Sequence, residues 1–323
     1  MGGFIGNGLK EALASAKIAK EKVGKGYLLT YLLEICWCFI LYGARPRDYV
    51  MFGFYYQNHR RRNQCFTTFR FFKIKKELEK LTSNYNIHNN KENQLRLFAE
   101  HIKRNWLCVD SDTADDNITK FISDNSKVIV KPNGGTYGKG IFMIYGEKDE
   151  NVNLLFSKKN ERLILEEVVE NIEELAKFNR SSLNTFRVYT FLDKNHKCEI
   201  LGIMLRIGTM GSEVDNWGAG GVGYNFDVET GICDQPGRDK NMNQYIFHPG
   251  TDYQMVGYKL PMFSELKKYV LELVKVIPEA RYVGWDIALT PKGFDLIEIN
   301  CPGGNDFLQA FGKYYNDYIK VNW

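Results

Sequence analysis

Asp286, Glu298 and Asn300 are the side chains in this sequence whose types and spacing best suit a cation. They lie in Trp285–Thr290 (WDIALT) and Phe294–Asn300 (FDLIEIN), two apolar-rich runs joined by Pro291-Lys292-Gly293. Such a pattern predicts a β-hairpin with Gly293 in the left-handed position. With Thr290 paired to Phe294, Asp286 falls opposite Glu298, and Asn300 shares that face two residues on. Directly opposed carboxylates stand roughly 4.5–5.5 Å apart at Cβ and repel. A hard cation relieves the repulsion, and two carboxylates with an amide oxygen suit Mg²⁺, which shares itself with waters and phosphates. The plainer alternative is a solvated polar face. It fits poorly with Ile287, Leu289, Leu296, Ile297 and Ile299 around these groups.

Upstream lie residues that suit a nucleotide. Lys127–Lys131 (KVIVK) and Ile141–Tyr145 read as strands flanking Pro132–Gly140, where Gly134, Gly135, Gly138 and Gly140 surround Thr136. Glycines let a backbone approach phosphates and aim amide N–H groups at them, with Lys131 adding a cation. A structural turn is the competing reading. No Walker A loop is present, since Gly140 and a strand follow Lys139. The strand from Leu163 turns acidic at Glu166, Glu167 and Glu170 around Val168 and Val169. A purine edge could bond its backbone and a ribose one of its carboxylates, against a solvated strand end as the alternative.

Arg187 and Arg206 are embedded in a second hairpin, Asn184–Phe191 with Cys198–Arg206 around Asp193-Lys194-Asn195. An unpaired guanidinium in apolar surroundings is costly, so each pairs with an acid or faces a bound anion, and the anion is favoured. Gly211–Gly223 (GSEVDNWGAGGVG), anchored by Asp215, Asn216 and Trp217, suits a lid. His248 and Asp252 follow in a loop where a histidine is more often structural. Phe263–Val276 reads as a helix.

The elements that position these residues sit in a chain of 323 residues with ordinary composition, 44% hydrophobic and 25% charged. Seven scattered cysteines without a CxxC pair fit a reducing compartment and no zinc site. Residues 1–80 carry 15 Lys/Arg against 6 Asp/Glu, while the remainder carries 28 against 33. That asymmetry suggests an anionic partner for the basic part, with no nucleic-acid motif in sight. Gly8–Lys22 reads as an amphipathic helix. Tyr27–Tyr42 is the most apolar run, too short to span a bilayer and interrupted by Glu34. A buried core helix is its favoured reading, and a helix lying on an anionic membrane is the alternative, because Arg45, Arg47 and Arg60–Arg62 follow. No cleavage site marks a signal peptide. Asn84–Glu92 looks like a linker, and no βαβ pattern precedes it.

Taken in order, Lys131 with its glycine loop, LILEEVVE, NTFRVYT, VDNWGAGGVG, the His-Pro segment and VGWDIAL…LIEIN resemble the ATP-grasp superfamily. More narrowly they are similar to its sugar-transfer-associated group, found with polysaccharide and capsule biosynthesis. The resemblance implies an α+β fold of two subdomains gripping ATP, residues 86–170 and 171–323, behind a helical, basic and aromatic region, 1–85. It implies that Lys91 and Lys131 contact the nucleotide and that the Gly134–Gly140 loop covers its phosphates. Glu166, Glu167, Val168 and Val169 would bracket the adenine, with Glu170 or Glu173 on the ribose. Arg206 and Arg187 would stabilise the transferring phosphoryl group, Asn216 would act from the lid, and Asp286, Glu298 and Asn300 would hold Mg²⁺ or Mn²⁺.

The implied activity is an ADP-forming carboxylate–amine ligase acting through an acyl phosphate on a small-molecule or lipid-linked sugar or amino-acid substrate. A kinase using the same site and a catalytically silent scaffold of a glycan-assembly complex are the alternatives. The implied setting is cytoplasmic, with a peripheral place at the inner face of the membrane as its alternative. Many ligases of the superfamily carry a Rossmann-like domain ahead of the grasp, where this chain is helical. Acceptor residues therefore do not transfer.

Overall fold

Up to residue 101 the chain forms helices and turns only. In the computed structural model, which describes residues 2–135, 140–209, 211 and 220–312, these are α1 (Gly2–Val23), α2 (Leu28–Tyr42), α3 (Pro46–Met51), α4 (His59–Gln64), α5 (Thr68–Leu81) and α6 (Lys91–Leu97). Helix α2 buries Tyr31, Ile35, Cys38 and Tyr42, one stripe at helical spacing. It stops at Gly43, whose φ of 62° lets its N–H turn back to the Phe39 carbonyl. Helix α3 opens on Pro46, with the Asp48 carboxylate accepting from the Arg45 N–H at 2.9 Å. Glu34 faces inward, taking a bond from Tyr49 Oη at 2.5 Å and pairing with Arg62. The favoured expectation of a buried α2 is therefore corrected. Leu29, Leu33, Trp37 and Ile40 on its opposite side are 57–70% exposed. The expected linker is also shorter than 84–92. Asn90 accepts from the Asn93 N–H at 3.1 Å and starts α6 at Lys91.

The rest alternates strands and helices: β1 (Trp106–Val109), α7 (Asp115–Asp124), β2 (Val128–Pro132), β3 (Phe142–Ile144), α8 (Asn151–Ser157), β4 (Leu163–Glu167) and α9 (Glu173–Ala176). Then come β5 (Thr185–Leu192), β6 (Cys198–Ile207), β7 (Val222–Phe226), β8 (Gly237–Arg238), β9 (Gln244–Tyr245), α10 (Phe263–Val276), β10 (Tyr282–Thr290) and β11 (Gly293–Asn300). They build two antiparallel sheets, one of four strands ordered β1-β4-β2-β3 and one of seven ordered β11-β10-β5-β6-β7-β8-β9. The class is α+β, as expected, behind a helical N-terminal region.

Alternation along β5, β6 and β10 gives the seven-stranded sheet two faces of opposite character. One carries Phe186, Val188, Ile203, Leu205, Trp285 and Ile287, packed in one core with Leu266, Val270 and Leu273 of α10. The other carries Arg187, Arg206 and Asp286. Toward one end, this second face meets the N-terminal helices. Tyr189, Tyr282, Phe307, Leu308 and Phe311 share a core with Tyr42, Phe54 and Phe66. Two glycines permit that approach, because a Cβ at Gly202 would lie 2.2 Å from Leu308 and one at Gly223 2.7 Å from the Phe307 ring.

The C-terminal hairpin departs from its expected register twice. Thr290 pairs with Gly293, not Phe294, so only Pro291 and Lys292 form the turn. Thr290 Oγ1 tightens it, donating to the Gly293 carbonyl at 2.9 Å and accepting from the Lys292 N–H at 3.1 Å. Gly293 takes φ 101°, which only glycine adopts cheaply. A bulge then leaves Ile297 unpaired, because Ile287 opposes Leu296 while Asp286 opposes Glu298. The two departures cancel at Asp286. They do not cancel at Asp295, which opposes Ala288 and so falls on the same face as Asp286.

Candidate functional site

A continuous row crosses the seven-stranded sheet: Glu298 opposite Asp286, Asp286 opposite Arg187, Arg187 opposite Met204, and Met204 opposite Asn225. Directly opposed residues share a face, so these side chains all look the same way. Asp286 is buried and receives Arg187 through both Nε and Nη2, the latter at 2.8 Å. Arg206 Nη2 lies 3.3 Å from the same carboxylate and Asn300 Nδ2 lies 3.4 Å from it. Thr185 Oγ1 fixes Arg206, accepting from its Nη2 at 2.6 Å. Burial alone would raise the Asp286 carboxyl, but Arg187 and Arg206 outweigh it and hold the group below the usual range.

The guanidiniums thus meet an acid, the reading that the sequence placed second, and the acid is itself one of the expected metal ligands. Asp286 and Asn300 touch, and Glu298 sits exposed beside them on the paired strand. Among the described residues no group of three or more His, Cys, Asp or Glu could hold a metal. The donor types nevertheless fit Mg²⁺, with two carboxylates and one amide on one face.

On the four-stranded sheet, Lys131 and Glu166 lie on adjacent strands and pair at 2.9 Å. The other side of Glu166 meets Arg104, which also bonds Asp295 and the Leu296 carbonyl of the other sheet, both at 2.8 Å. Arg104 therefore joins the two sheets through one buried guanidinium. Burial would raise Glu166, yet Arg104 and Lys131 bring it down to about 2. Burial instead wins at Asp295, whose carboxyl is raised and whose Oδ2 has no partner among the described residues.

Lys91 comes to the base of the glycine loop. Its backbone N–H donates to the Asn133 carbonyl at 3.1 Å and its Nζ to the Gly135 carbonyl at 3.2 Å. Asn89 Oδ1 accepts from the Gly135 N–H at 2.8 Å. Gly134 is exposed, and Gly135 and Gly140 have φ of 109° and 78°. Thr136, Gly138 and Asn216 lie outside the described residues. Glu167 pairs with Lys292 at 2.9 Å, and the Val168 N–H is spent on the Lys127 carbonyl at 3.1 Å. Val169 is half-buried, and Glu170 is exposed, 3.7 Å from Lys127.

His248 is fully buried and holds the end of β6. The Gly208 carbonyl can only accept, so Nε2 donates to it at 3.1 Å and Nδ1 accepts from Tyr224 Oη at 3.1 Å. Burial lowers it to about 4, leaving it neutral. Asp252 is exposed.

Arg104, Asp295 and Asn225 were not anticipated. Arg104 sits in an unpatterned stretch, HIKRNW, that carries no motif. Asp295 required knowledge of the bulge. Asn225 is fully buried, neither side-chain amide atom has a partner among the described residues, and nothing in VGYNF marks it.

Residues 153–310 match the family model described as Sugar-transfer associated ATP-grasp. No curated protein matches the chain. Among solved structures it is similar to D-alanine–D-alanine ligase from Bacillus anthracis, at 16% identity and TM-score 0.45, over 73% of this chain and 66% of that one. It is also similar to N5-carboxyaminoimidazole ribonucleotide synthetase from Thermotoga maritima, at 13% identity and TM-score 0.40, over 68% and 44%. The chain thus spans less than two thirds of the length of these proteins. The matched stretch, residues 153–310, holds Arg187, Arg206, Asp286, Glu298 and Asn300, and it is this part of the chain that is similar to the sugar-transfer associated ATP-grasp family.

Proposed function

We propose that the protein is an ATP- and Mg²⁺-dependent carboxylate–amine ligase that releases ADP and modifies a sugar or polysaccharide precursor. The observation that carries the reading is the buried Asp286 carboxylate held between Arg187 and Arg206, on the sheet face to which Arg104 joins Lys131 and Glu166. ATP would lie between the sheets, with Lys91, Lys131 and the Gly134–Gly140 backbone toward its phosphates. The chain from Glu166 to Glu170 would face the base and ribose. Asp286, Glu298 and Asn300 would hold Mg²⁺, or Mn²⁺ in its place, which supplies positive charge to phosphate oxygens.

In this reading a substrate carboxylate oxygen attacks the γ-phosphorus, the bond to the β-phosphate bridging oxygen breaks, and ADP leaves. Arg187 and Arg206 stabilise charge on the transferring group from fixed positions, so catalysis is positioning plus electrostatics. An amine then attacks the acyl carbon, phosphate departs and the nitrogen loses a proton. Asn216 and the 211–223 segment would shield the acyl phosphate from water. The setting is taken as cytoplasmic.

The test is incubation with Mg·ATP, hydroxylamine and a panel of amino acids and uronic acids, following ADP, AMP and hydroxamate together. Hydroxamate with ADP is the expected result and names the acid. ADP with a stable phosphorylated product and no hydroxamate would reassign the site to a kinase.

A further inference from the structure

We propose that the outer face of α2 docks the protein onto an anionic lipid surface. Leu29, Leu33, Trp37 and Ile40 recur at intervals of four, four and three along one side of the helix, 64%, 63%, 57% and 70% exposed. No charge interrupts that side, because Glu34 turns inward to Arg62 and Tyr49. The apolar surface continues onto α5 through Phe39, which meets Phe69 edge-on at 5.3 Å. Exposed large apolar residues are normally scattered, so a contiguous patch of this kind marks an interaction surface.

Charge selects the occupant. Lys25 precedes the helix and Arg45 follows it, both exposed, and Arg45 rests 5.7 Å above the Phe69 ring. The patch lies within residues 1–80, which carry 15 basic against 6 acidic residues, whereas the remainder is net acidic at 28 against 33. An apolar stripe bordered by cations matches an acyl region beneath anionic headgroups. Geometry selects the mode. Fifteen residues rise about 22 Å against a hydrocarbon core of about 30 Å, so α2 lies in the interface rather than across it. Among the described residues no single helix is long and apolar enough to span, and α1 and α2 are bent by 116°.

This inference does not depend on the ligase reading, since binding is read without nucleotide. The full chain is sedimented with vesicles of phosphatidylcholine alone and of equal parts phosphatidylcholine and phosphatidylglycerol. Expected is salt-sensitive binding to the mixed vesicles, weakened about a hundredfold by combined Leu33→Ser, Trp37→Ser and Ile40→Ser. These side chains are exposed, so the variant should keep the parent's thermal midpoint and circular dichroism. Lipids brominated along the acyl chain should quench a tryptophan signal that Trp37→Phe removes. The proposal is overturned by failure to bind mixed vesicles at low salt, or by undiminished binding of the triple variant. A dimer in solution that the triple variant dissolves, without vesicle binding, would also overturn it and give the face to a second copy.

Discussion

Two buried clusters each set one carboxylate between two cations, and they differ in what lies beside them. On the four-stranded sheet, Glu166 lies between Lys131 and Arg104, and Arg104 also engages Asp295 and the carbonyls of Leu296 and Ile297. Two cations meet two acids, and the whole guanidinium fork is spent inside the protein. On the seven-stranded sheet, Asp286 answers both Arg187 and Arg206, while the second acid of the row, Glu298, is exposed. Similar residue types thus make a buried bridge between sheets in one place and, in the other, two arginines on one buried carboxylate beside an exposed acid. The bridge suits stability, and the arginine pair suits a phosphoryl group.

The strongest way to break this contrast is at the second cluster. Asp286→Asn should lower ATP turnover roughly 10⁴-fold or more, about 5 kcal/mol of barrier. A silent scaffold would keep its partner binding through the same change. Glu298→Gln separates activity from folding more cleanly, because the side chain is exposed. It should lower turnover by about 10²–10³ while leaving denaturant stability within about 0.5 kcal/mol. At the first cluster, Arg104→Met should act in the opposite sense. Removing one partner of a buried network leaves Asp295 with the Lys103 N–H but without its charge partner, at a cost of roughly 3–5 kcal/mol in a urea titration. Arg104→Met with unchanged stability would show that the bridge closes nothing.

His248 sharpens the contrast through pH. Glu166 at about 2 and Asp286 below the usual carboxylate range both stay ionised through mild acid. His248 is held at about 4, beneath its ordinary value near 6.5. Between those values the unfolded chain binds more protons than the folded one, so stability falls as pH falls. The contribution is complete above pH 6.5 and should shrink by about 2 kcal/mol by pH 5. Denaturation curves of the parent and of His248→Gln should therefore converge between about pH 6.5 and 4. Parallel curves would place the acid sensitivity elsewhere.

Strand and helix identities were legible because their patterns are local. The hairpin of β5 and β6 and the helix Phe263–Val276 lie where periodicity puts them. The opposition of Asp286 and Glu298 was also anticipated, though through a register that two errors corrected by chance. A bulge leaves no mark in FDLIEIN, so the face of Asp295 could not be read. Arg104 was hidden for a different reason. Its partners are Glu166 and Asp295, 62 and 191 residues away, and no local pattern encodes such a bond. The outward side of α2 was misjudged because a uniformly apolar run does not say which stripe finds a partner.

Asn225 offers the smallest effect and the finest test of the same contrast. It ends the row that starts at Glu298, fully buried, with both amide atoms unpartnered among the described residues. A buried unsatisfied polar group costs on the order of 1–3 kcal/mol, while an apolar side chain of similar size in a strand costs nothing of the kind. Asn225→Val should therefore stabilise the ligand-free chain by about 1 kcal/mol, read as a higher denaturation midpoint at unchanged slope. Thr190, also buried on β5, provides the control, because its Oγ1 accepts from Trp285 Nε1 at 2.9 Å. Thr190→Val should destabilise by a similar amount, since it strands the indole N–H. Opposite signs at two buried polar positions of one sheet would show that partnering, not polarity, decides what the sheet tolerates.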